Sequence, residues 1–169
     1  VNGHPFFNVA SLGISTALAE ELTREVKRRW GRLGYAIAAF TALLKARPFR
    51  ARIVSTGDGV TVHTMQVAVG NGRHYGGGMT VSEDAAIDDG ELDLYSLEFP
   101  SVWSMALMLP AFMSGAQGRW REVRTVRCAS FEIRTRRPRK VSADGEVVTQ
   151  TPARFSVLPA AVRVFAPPA

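Results

Sequence analysis

The chain has 169 residues, of which 46% are hydrophobic, and it contains 15 glycines and 9 prolines. This length and apolar content support one sizeable hydrophobic core, so we expect a single domain with many turns. Lysine and arginine total 21 against 15 acidic residues, a net charge of +6, which allows an anionic partner such as nucleic acid or a membrane surface without choosing between them. The single cysteine, Cys128, excludes an intrachain disulfide and is expected to be a small buried residue in a reducing, cytoplasmic setting.

Hydropathy along the chain predicts neither a signal peptide nor a membrane-spanning helix. Residues 1–5 lack the basic head and apolar run of a signal peptide. They are typical of a cut made inside a longer protein, so we expect the chain to be a fragment. The longest apolar run, residues 102–113, is about a dozen residues with Pro110 inside it, against about 20 needed to span a bilayer.

The first third of the chain predicts a short strand and a helix pair. The strand is expected over residues 6–9. Apolar side chains then recur at every fourth position over residues 15–29, which is the periodicity of an amphipathic helix. A second helix is expected over residues 35–46, before Pro48 ends it.

From Phe49 onward, short runs rich in valine and isoleucine are separated by turn sequences such as Asn-Gly and Asp-Gly. One further helix is expected over residues 101–114. Because strands dominate without βαβ alternation, we predict a mainly β or α+β domain, an antiparallel β-sandwich-like fold with the helix pair and one further helix. The predicted strands cover residues 51–55, 60–69, 91–98, 123–135, 139–142, 153–158 and 162–165.

Two neighbouring segments are the strongest candidates for a site. The first, GNGRHYGGG at residues 70–78, is one residue too long for the dinucleotide-binding fingerprint and has no Walker lysine, so by spacing alone it is a structural loop. The second is the acidic turn at residues 88–93. With Gly90 at position 6 of an EF-hand, positions 1 and 12 would be Ala85 and Ser96, which carry no carboxylate. By its residues alone this turn only leads into a strand.

A second acidic turn, Asp144-Gly145-Glu146, follows a predicted strand and precedes two valines. Its residues are typical of a two-residue hairpin. Asp58-Gly59 has the same hairpin signature without a following glutamate. Near the start of the chain, Asn8 and Ser11 are types that favour turns and helix N-caps, and we assign them no chemistry.

Taken together, the glycine-rich loop, both acidic turns and the pattern of Phe7, Asn8, Ser11 and Gly13 resemble the C-terminal domain of the diacylglycerol-kinase-like lipid kinases, most closely the bacterial YegS type. The resemblance covers almost the whole chain. It implies a two-domain enzyme that transfers the γ-phosphoryl group of ATP to a lipid hydroxyl, such as that of diacylglycerol. The N-terminal domain, with its GGDGT motif, would bind ATP and its catalytic magnesium. No such string occurs here, so we expect this chain alone to be inactive.

The resemblance also implies roles for residues of both acidic turns. A magnesium ion would be held by the carboxylate of Asp89 and by the main-chain carbonyls of Ala86 and Glu91, and it would order the acidic turn. Glu146 would be the general base that accepts the proton of the lipid hydroxyl, while Asp144 would shape the turn. The remaining partners would be the lipid substrate and the N-terminal kinase domain.

One apolar segment and one set of basic residues could contact lipid, but the sequence does not decide whether they do. The methionine-rich residues 102–113 could line an acyl-chain pocket or belong to the core. The competing hypothesis for the whole chain is a non-enzymatic β-domain that binds anionic membrane surfaces or other anionic partners. Peripheral membrane contact and a homodimer both remain open, whereas no nucleic acid is expected, since Phe131 is the one aromatic within residues 123–140. The basic residues that either face headgroups or are simply solvated are Arg119, Arg121, Arg124, Arg134, Arg136, Arg137, Arg139 and Lys140.

Overall fold

Two antiparallel sheets, one of six strands and one of four, pack face to face. The computed structural model describes residues 1–21, 46–55, 57, 59–72, 74–75, 79–80, 86–99 and 123–162. Within them the elements, in chain order, are β1 (Val9–Gly13), α1 (Ile14–Glu21), β2 (Phe49–Val54), β3 (Val60–Thr64), β4 (Gln66–Gly70), β5 (His74–Tyr75), β6 (Met79–Thr80), β7 (Leu92–Leu97), β8 (Val123–Cys128), β9 (Ser130–Thr135), β10 (Lys140–Ala143), β11 (Glu146–Gln150) and β12 (Ala153–Ser156).

One sheet has six strands in the order β11-β10-β1-β4-β7-β8, and the other has four in the order β12-β9-β2-β3. A separate pair joins β5 and β6. Every described strand pairing is antiparallel. The predicted β-sandwich-like fold class is therefore confirmed.

The main hydrophobic core lies between the two sheets. Leu12, Val69 and Leu94 of the six-stranded sheet pack in the same buried cluster as Ile133 and Phe155 of the four-stranded sheet. Fully burying a side chain of this size contributes about 1.5–3 kcal/mol relative to leaving it exposed. This cluster holds the two sheets together.

A second cluster lies on the other face of the six-stranded sheet and includes Met65, Ala68, Tyr95 and Phe99, with Ile14 of α1 packed against it. All six residues of β7 are buried as a result. A strand covered on both faces has no polar face, so β7 shows no clear alternation in the sequence. Among the described residues, no helix is both long and apolar enough to cross a bilayer.

Several predicted boundaries are wrong, and each has a local cause. The strand predicted at residues 6–9 is β1, which begins at Val9 and places Ser11 in the middle of a buried strand rather than at a turn or helix N-cap. The polar side chain is accommodated because Ser11 Oγ lies 3.2 Å from Ser142 Oγ, which is in turn 3.1 Å from Thr16 Oγ1.

Two predicted strands are each divided between two elements. Residues 60–69 form β3 and β4, which belong to different sheets, and the chain crosses between the sheets at Met65. Gly13 makes this crossing possible, because a Cβ on it would lie 2.3 Å from the Met65 carbonyl oxygen. Residues 123–135 likewise form β8 in one sheet and β9 in the other, with Ala129 between them.

The remaining predicted elements differ from the structure in their bounds, or lie outside the described residues. β12 ends at Ser156, β11 was not predicted, and Cys128 is half-buried rather than buried. Helix α1 begins at Ile14, close to its predicted start. Residues 22–29 of the first predicted helix, residues 35–45 of the second, residues 101–114 and residues 163–165 lie outside the described residues, while Ala46 is not helical.

Candidate functional site

Four loop segments that are far apart in sequence leave the six-stranded sheet at the same end. The register pairs Val9 of β1 with Gly70 of β4, and Gly70 with Asp93 of β7. On the other side of β1, Ala10 pairs with Ala143 of β10. We call this end, formed by residues 7–9, 70–72, 86–91 and 144–146, the loop edge. It brings together residues 7–9, which we call the entry segment, the glycine-rich loop and both acidic turns.

Asp144 and Gly145 form the tight turn between β10 and β11. Their φ angles are +48° and +90°, the two positive values of a type I′ hairpin turn, which asparagine, aspartate and glycine adopt most readily. The sequence prediction of a hairpin is confirmed at this point.

The Asp144 carboxylate also binds the entry segment. Its Oδ2 accepts a hydrogen bond from the amide of Phe7 at 2.7 Å, and its Oδ1 accepts from the amides of Asn8 and Val9 at 3.0 Å each. The Asp144 amide donates to the Val9 carbonyl at 2.9 Å. The hairpin is therefore fixed to the start of β1, 135 or more residues away in sequence.

Glu146 is the first residue of β11 and pairs with Ala143 across the turn. Its side chain is exposed. Among the described residues it has no hydrogen-bond or ion-pair partner, in contrast to Asp144. Glu146 thus presents a free carboxylate on a backbone that Asp144 holds in place.

A β-bulge lies just beyond Glu146. The register shifts between Val141 and Ser142 of β10, which pair with Thr149 and Val147 of β11 and leave Val148 as the extra residue. Bulges bend a strand and redirect its side chains, and they occur often beside active sites. A hairpin was predicted at this turn, but no range was predicted for its second strand, β11.

The first acidic turn is organised around Asp89. Its Oδ2 accepts from the Ala86 amide at 3.0 Å and its Oδ1 from the Glu91 amide at 2.9 Å. The hydrogen bond from Ala86, then that from Glu91 and the positive charge of Arg127, lower the pKa of Asp89 below its ordinary value. The carboxylate is therefore ionised at neutral pH and the turn curls around it.

The donor chemistry of this turn fits a hard divalent cation. Asp89 is exposed and charged, and each of its oxygens keeps a lone pair beyond the one that accepts an amide hydrogen. The carbonyls of Ala86 and Glu91 belong to the two residues whose amides already bind that carboxylate. The described residues include no group of three or more acidic, histidine or cysteine side chains that could together hold a metal ion, so a cation here would keep several waters, as Mg²⁺ usually does.

Arg127 balances the acidic residues that follow the turn. Its Nε lies 3.1 Å from Asp93 and 3.6 Å from Glu91. Asp93, which the sequence grouped with the exposed turn, is instead buried within β7 opposite Arg127. The hydrogen bond to Asp93 raises the pKa of Arg127. Sequence analysis missed this pair because its members lie 34 residues apart.

The glycine-rich loop contacts the other side of the entry segment. The Asn71 amide donates to the Asn8 carbonyl at 2.8 Å, and Asn71 Nδ2 donates to the Phe7 carbonyl at 3.4 Å. Residues 7–9 therefore connect the glycine-rich loop to the hairpin of Glu146. Residues 73 and 76–78 of this loop, and the methionine-rich residues 102–113, lie outside the described part of the chain.

Comparisons with known proteins show which proteins this chain is similar to. The family model described as the YegS C-terminal NAD kinase beta sandwich-like domain matches residues 8–166. A protein named diacylglycerol kinase from Mycobacterium tuberculosis is 32% identical over 165 residues, covering 96% of this chain and 52% of that protein. A probable lipid kinase YegS-like from Stenotrophomonas maltophilia is 30% identical over 161 residues, covering 95% of this chain and 52% of its own length.

The fold is also found among solved structures. A putative diacylglycerol kinase from Bacillus anthracis superposes with a TM-score of 0.71 at 23% identity, covering 94% of this chain and 51% of that one. The chain spans about half the length of the curated relatives it matches.

Proposed function

Because this chain belongs to the YegS C-terminal domain family, we propose that it is the C-terminal, lipid-binding domain of an ATP-dependent lipid kinase. The whole enzyme transfers the γ-phosphoryl group of ATP to a hydroxyl of diacylglycerol or a related lipid. The relatives are about twice as long as this chain, which leaves room for an N-terminal domain that binds ATP and the catalytic magnesium. An ATP-dependent enzyme of this kind acts from the cytoplasm.

The observation that carries this proposal is the free Glu146 carboxylate on an anchored turn. In the reaction, the lipid hydroxyl oxygen attacks the γ-phosphorus, the bond to the β–γ bridging oxygen breaks and ADP leaves. The hydroxyl proton passes to Glu146, whose side chain has no competing partner among the described residues. A general base must be both accessible and held in position, and the hydrogen bonds of Asp144 to residues 7–9 provide the second condition.

The proposed magnesium site is separate from this base. The Asp89 carboxylate, with the carbonyls of Ala86 and Glu91, would hold the ion. Mg²⁺ bound there would neutralise the turn and keep residues 86–91 rigid. The ionised state of Asp89 and the curl of the turn around it support this assignment.

The test is Glu146→Gln in the full-length kinase, with diacylglycerol as acceptor. The amide keeps the size of the side chain and loses the basic oxygen, so we expect kcat to fall by roughly 10²- to 10⁴-fold while folding and lipid binding are preserved. Asp88→Asn is the matched control. Asp88 lies on the loop edge, and its exposed carboxylate has no partner among the described residues. Near-parental turnover of Glu146→Gln would show that Glu146 is only a hairpin residue.

A further inference from the structure

The four-stranded sheet turns a strongly basic face away from the core. In β2, exposed Arg50 and Arg52 alternate with buried residues, and Arg134 of β9 and Arg154 of β12 are exposed in the same way. Because successive side chains of a strand point to opposite faces, these arginines share the outer face of the sheet. We call this set of four arginines the basic sheet face.

The register brings like charges together on this face. Arg52 pairs directly with Arg134 across β2 and β9, an arrangement that destabilises a sheet unless something compensates it. The one acidic residue in these four strands is Glu132, whose Oε1 lies 2.8 Å from Arg134 Nε and 3.8 Å from Arg154 Nε. Neither Arg50 nor Arg52 has an ion pair within the described residues. Four arginines and one glutamate leave this face with a charge of +3.

Several basic residues elsewhere in the described chain have local partners. Arg124 pairs with Glu98, Lys140 with Glu20, and the Arg139 guanidinium lies 3.9 Å above the Phe49 ring. The basic run expected from the sequence over residues 134–140 is therefore not one surface. Arg47 lies just before β2, and Arg136 and Arg137 follow β9 directly; all three are exposed. Among the described residues, the basic side chains without an ion pair therefore lie on the four-stranded sheet or next to it in the chain.

We propose that the basic sheet face docks onto the headgroups of an anionic phospholipid bilayer. Guanidinium groups match phosphate oxygens in charge and geometry, and a lipid surface would supply the negative charge that Arg50 and Arg52 lack among the described residues. β3, the remaining strand of this sheet, has Thr61 and His63 at outward positions, and it carries no tyrosine, phenylalanine or tryptophan for stacking on bases. The choice of a bilayer over nucleic acid also rests on the proposed lipid kinase function.

The test is vesicle binding by the full-length protein, with vesicles of phosphatidylcholine alone or mixed with phosphatidylglycerol. We expect binding to the mixed vesicles only, and weakening by added salt, since screening shortens the range of the attraction to about 8–10 Å. Each arginine near an anionic surface typically contributes about 1 kcal/mol, or about fivefold in affinity. The double variant Arg50→Gln/Arg52→Gln should therefore bind about 25-fold more weakly.

The control variant is Arg124→Gln/Lys140→Gln, which removes the same charge from ion-paired sites away from the face. It should bind the mixed vesicles nearly as tightly as the parent. Equal weakening by both double variants would mean that only net charge matters, and unchanged binding by Arg50→Gln/Arg52→Gln would mean that the face is not used. Tighter binding of single- or double-stranded DNA than of the mixed vesicles, lost in the same variant, would assign the face to nucleic acid. Each of these three results overturns the proposal.

Two further measurements separate docking from catalysis. Phosphorylation of a short-chain diacylglycerol in neutral detergent micelles should be the same in the parent and in Arg50→Gln/Arg52→Gln, since no anionic surface is present. The melting temperature should be equal or higher in this variant, because it removes charge repulsion and breaks no ion pair. A protein that binds anionic vesicles through this face but phosphorylates no lipid would disprove the proposed kinase and not the docking. Loss of micelle activity together with vesicle binding would disprove a separate docking face.

Discussion

At the scale of single residues, the two carboxylates of the Asp144-Gly145-Glu146 turn have different roles. Asp144 is engaged by the amides of residues 7–9, whereas Glu146 has no partner among the described residues. The first side chain determines where the turn lies, and the second is available for proton transfer. One short motif therefore contains a positioning residue beside the proposed base.

Asp144→Asn should affect both stability and turnover. An amide group has one acceptor oxygen in place of two and carries no charge, so it cannot satisfy the three backbone amides as the carboxylate does. We expect a loss of about 1–3 kcal/mol, a lower melting temperature and a reduced kcat, measured by circular dichroism and by lipid phosphorylation in the full-length kinase. A melting temperature equal to that of the parent would contradict this role, and Glu146→Gln, which should lower only kcat, serves as the comparison.

Asp89 should give a pH-dependent contribution to stability. Its pKa is lower in the folded protein than in an unfolded chain, where aspartate titrates near about 3.9. A lowered pKa means that the stabilisation is fully present above the unfolded value and disappears as the pH falls through the folded value. The free energy of unfolding of the parent minus that of Asp89→Asn should therefore be constant above about pH 5 and shrink in acid. A difference that does not change with pH would show that the ionised form is not what holds the turn.

Asp89→Ala should also lower the affinity for magnesium, because it removes the one carboxylate assigned to the ion. Calorimetry and thermal melts with added Mg²⁺ would measure this. Asp88→Ala is the control, since Asp88 lies in the same turn and is exposed. Equal magnesium effects in Asp89→Ala and the parent would show that the ion, if it binds, is held elsewhere.

At the scale of elements, β1 is the strand that ties the site together. It lies between β10 and β4. The turn at residues 144–146 follows β10, and the glycine-rich loop follows β4. Its last residue, Gly13, packs where the chain crosses from β3 to β4, and it has a φ of +109°. The position of the site therefore depends on a close backbone contact at the far end of the same strand.

Gly13→Ala should destabilise the domain by about 2–5 kcal/mol, because the new methyl group meets the Met65 carbonyl and the backbone angle is unfavourable for alanine. Gly145→Ala is the matched comparison, since its φ is +90° but nothing lies within 4 Å of the new Cβ. It should cost about 1 kcal/mol. Urea unfolding of both variants would measure the difference, and equal losses would mean that crowding at Met65 does not matter.

At the scale of the whole molecule, this chain supplies about half of the length of its relatives. The proposed base and the proposed magnesium site lie on it, but it contains no Gly-Gly-Asp-Gly-Thr string to receive ATP phosphates. Under the proposed function, the loop edge forms one side of the active site and a nucleotide-binding domain supplies the other.

The 169-residue chain alone should neither bind ATP tightly nor phosphorylate lipid. Isothermal titration with ATP and an assay with diacylglycerol would test this, with the full-length protein as the positive control. Robust ATP-dependent phosphorylation by the isolated chain would mean that a nucleotide site exists within it, and the assignment of ATP to a separate domain would be wrong.

The sequence by itself determined the fold class and the residues worth testing. Valine-rich runs between Asp-Gly and Asn-Gly turns predicted antiparallel strands, since both signals depend on residues close together in the chain. The hairpin at Asp144 and Gly145 was correctly predicted for the same reason. The motif resemblance also selected Asp89 and Glu146, although their chemical roles stay predictions.

Only the tertiary structure decided how these parts meet. The bonds from Asp144 to residues 7–9, the pairing of Arg127 with Asp93 and the facing of Arg52 and Arg134 all join residues distant in sequence. Such contacts follow from strand order and register, which no local pattern specifies. The division of residues 60–69 between two sheets was missed for this reason as well, because no turn residue separates the two halves and only the packing of Gly13 against Met65 marks the crossing.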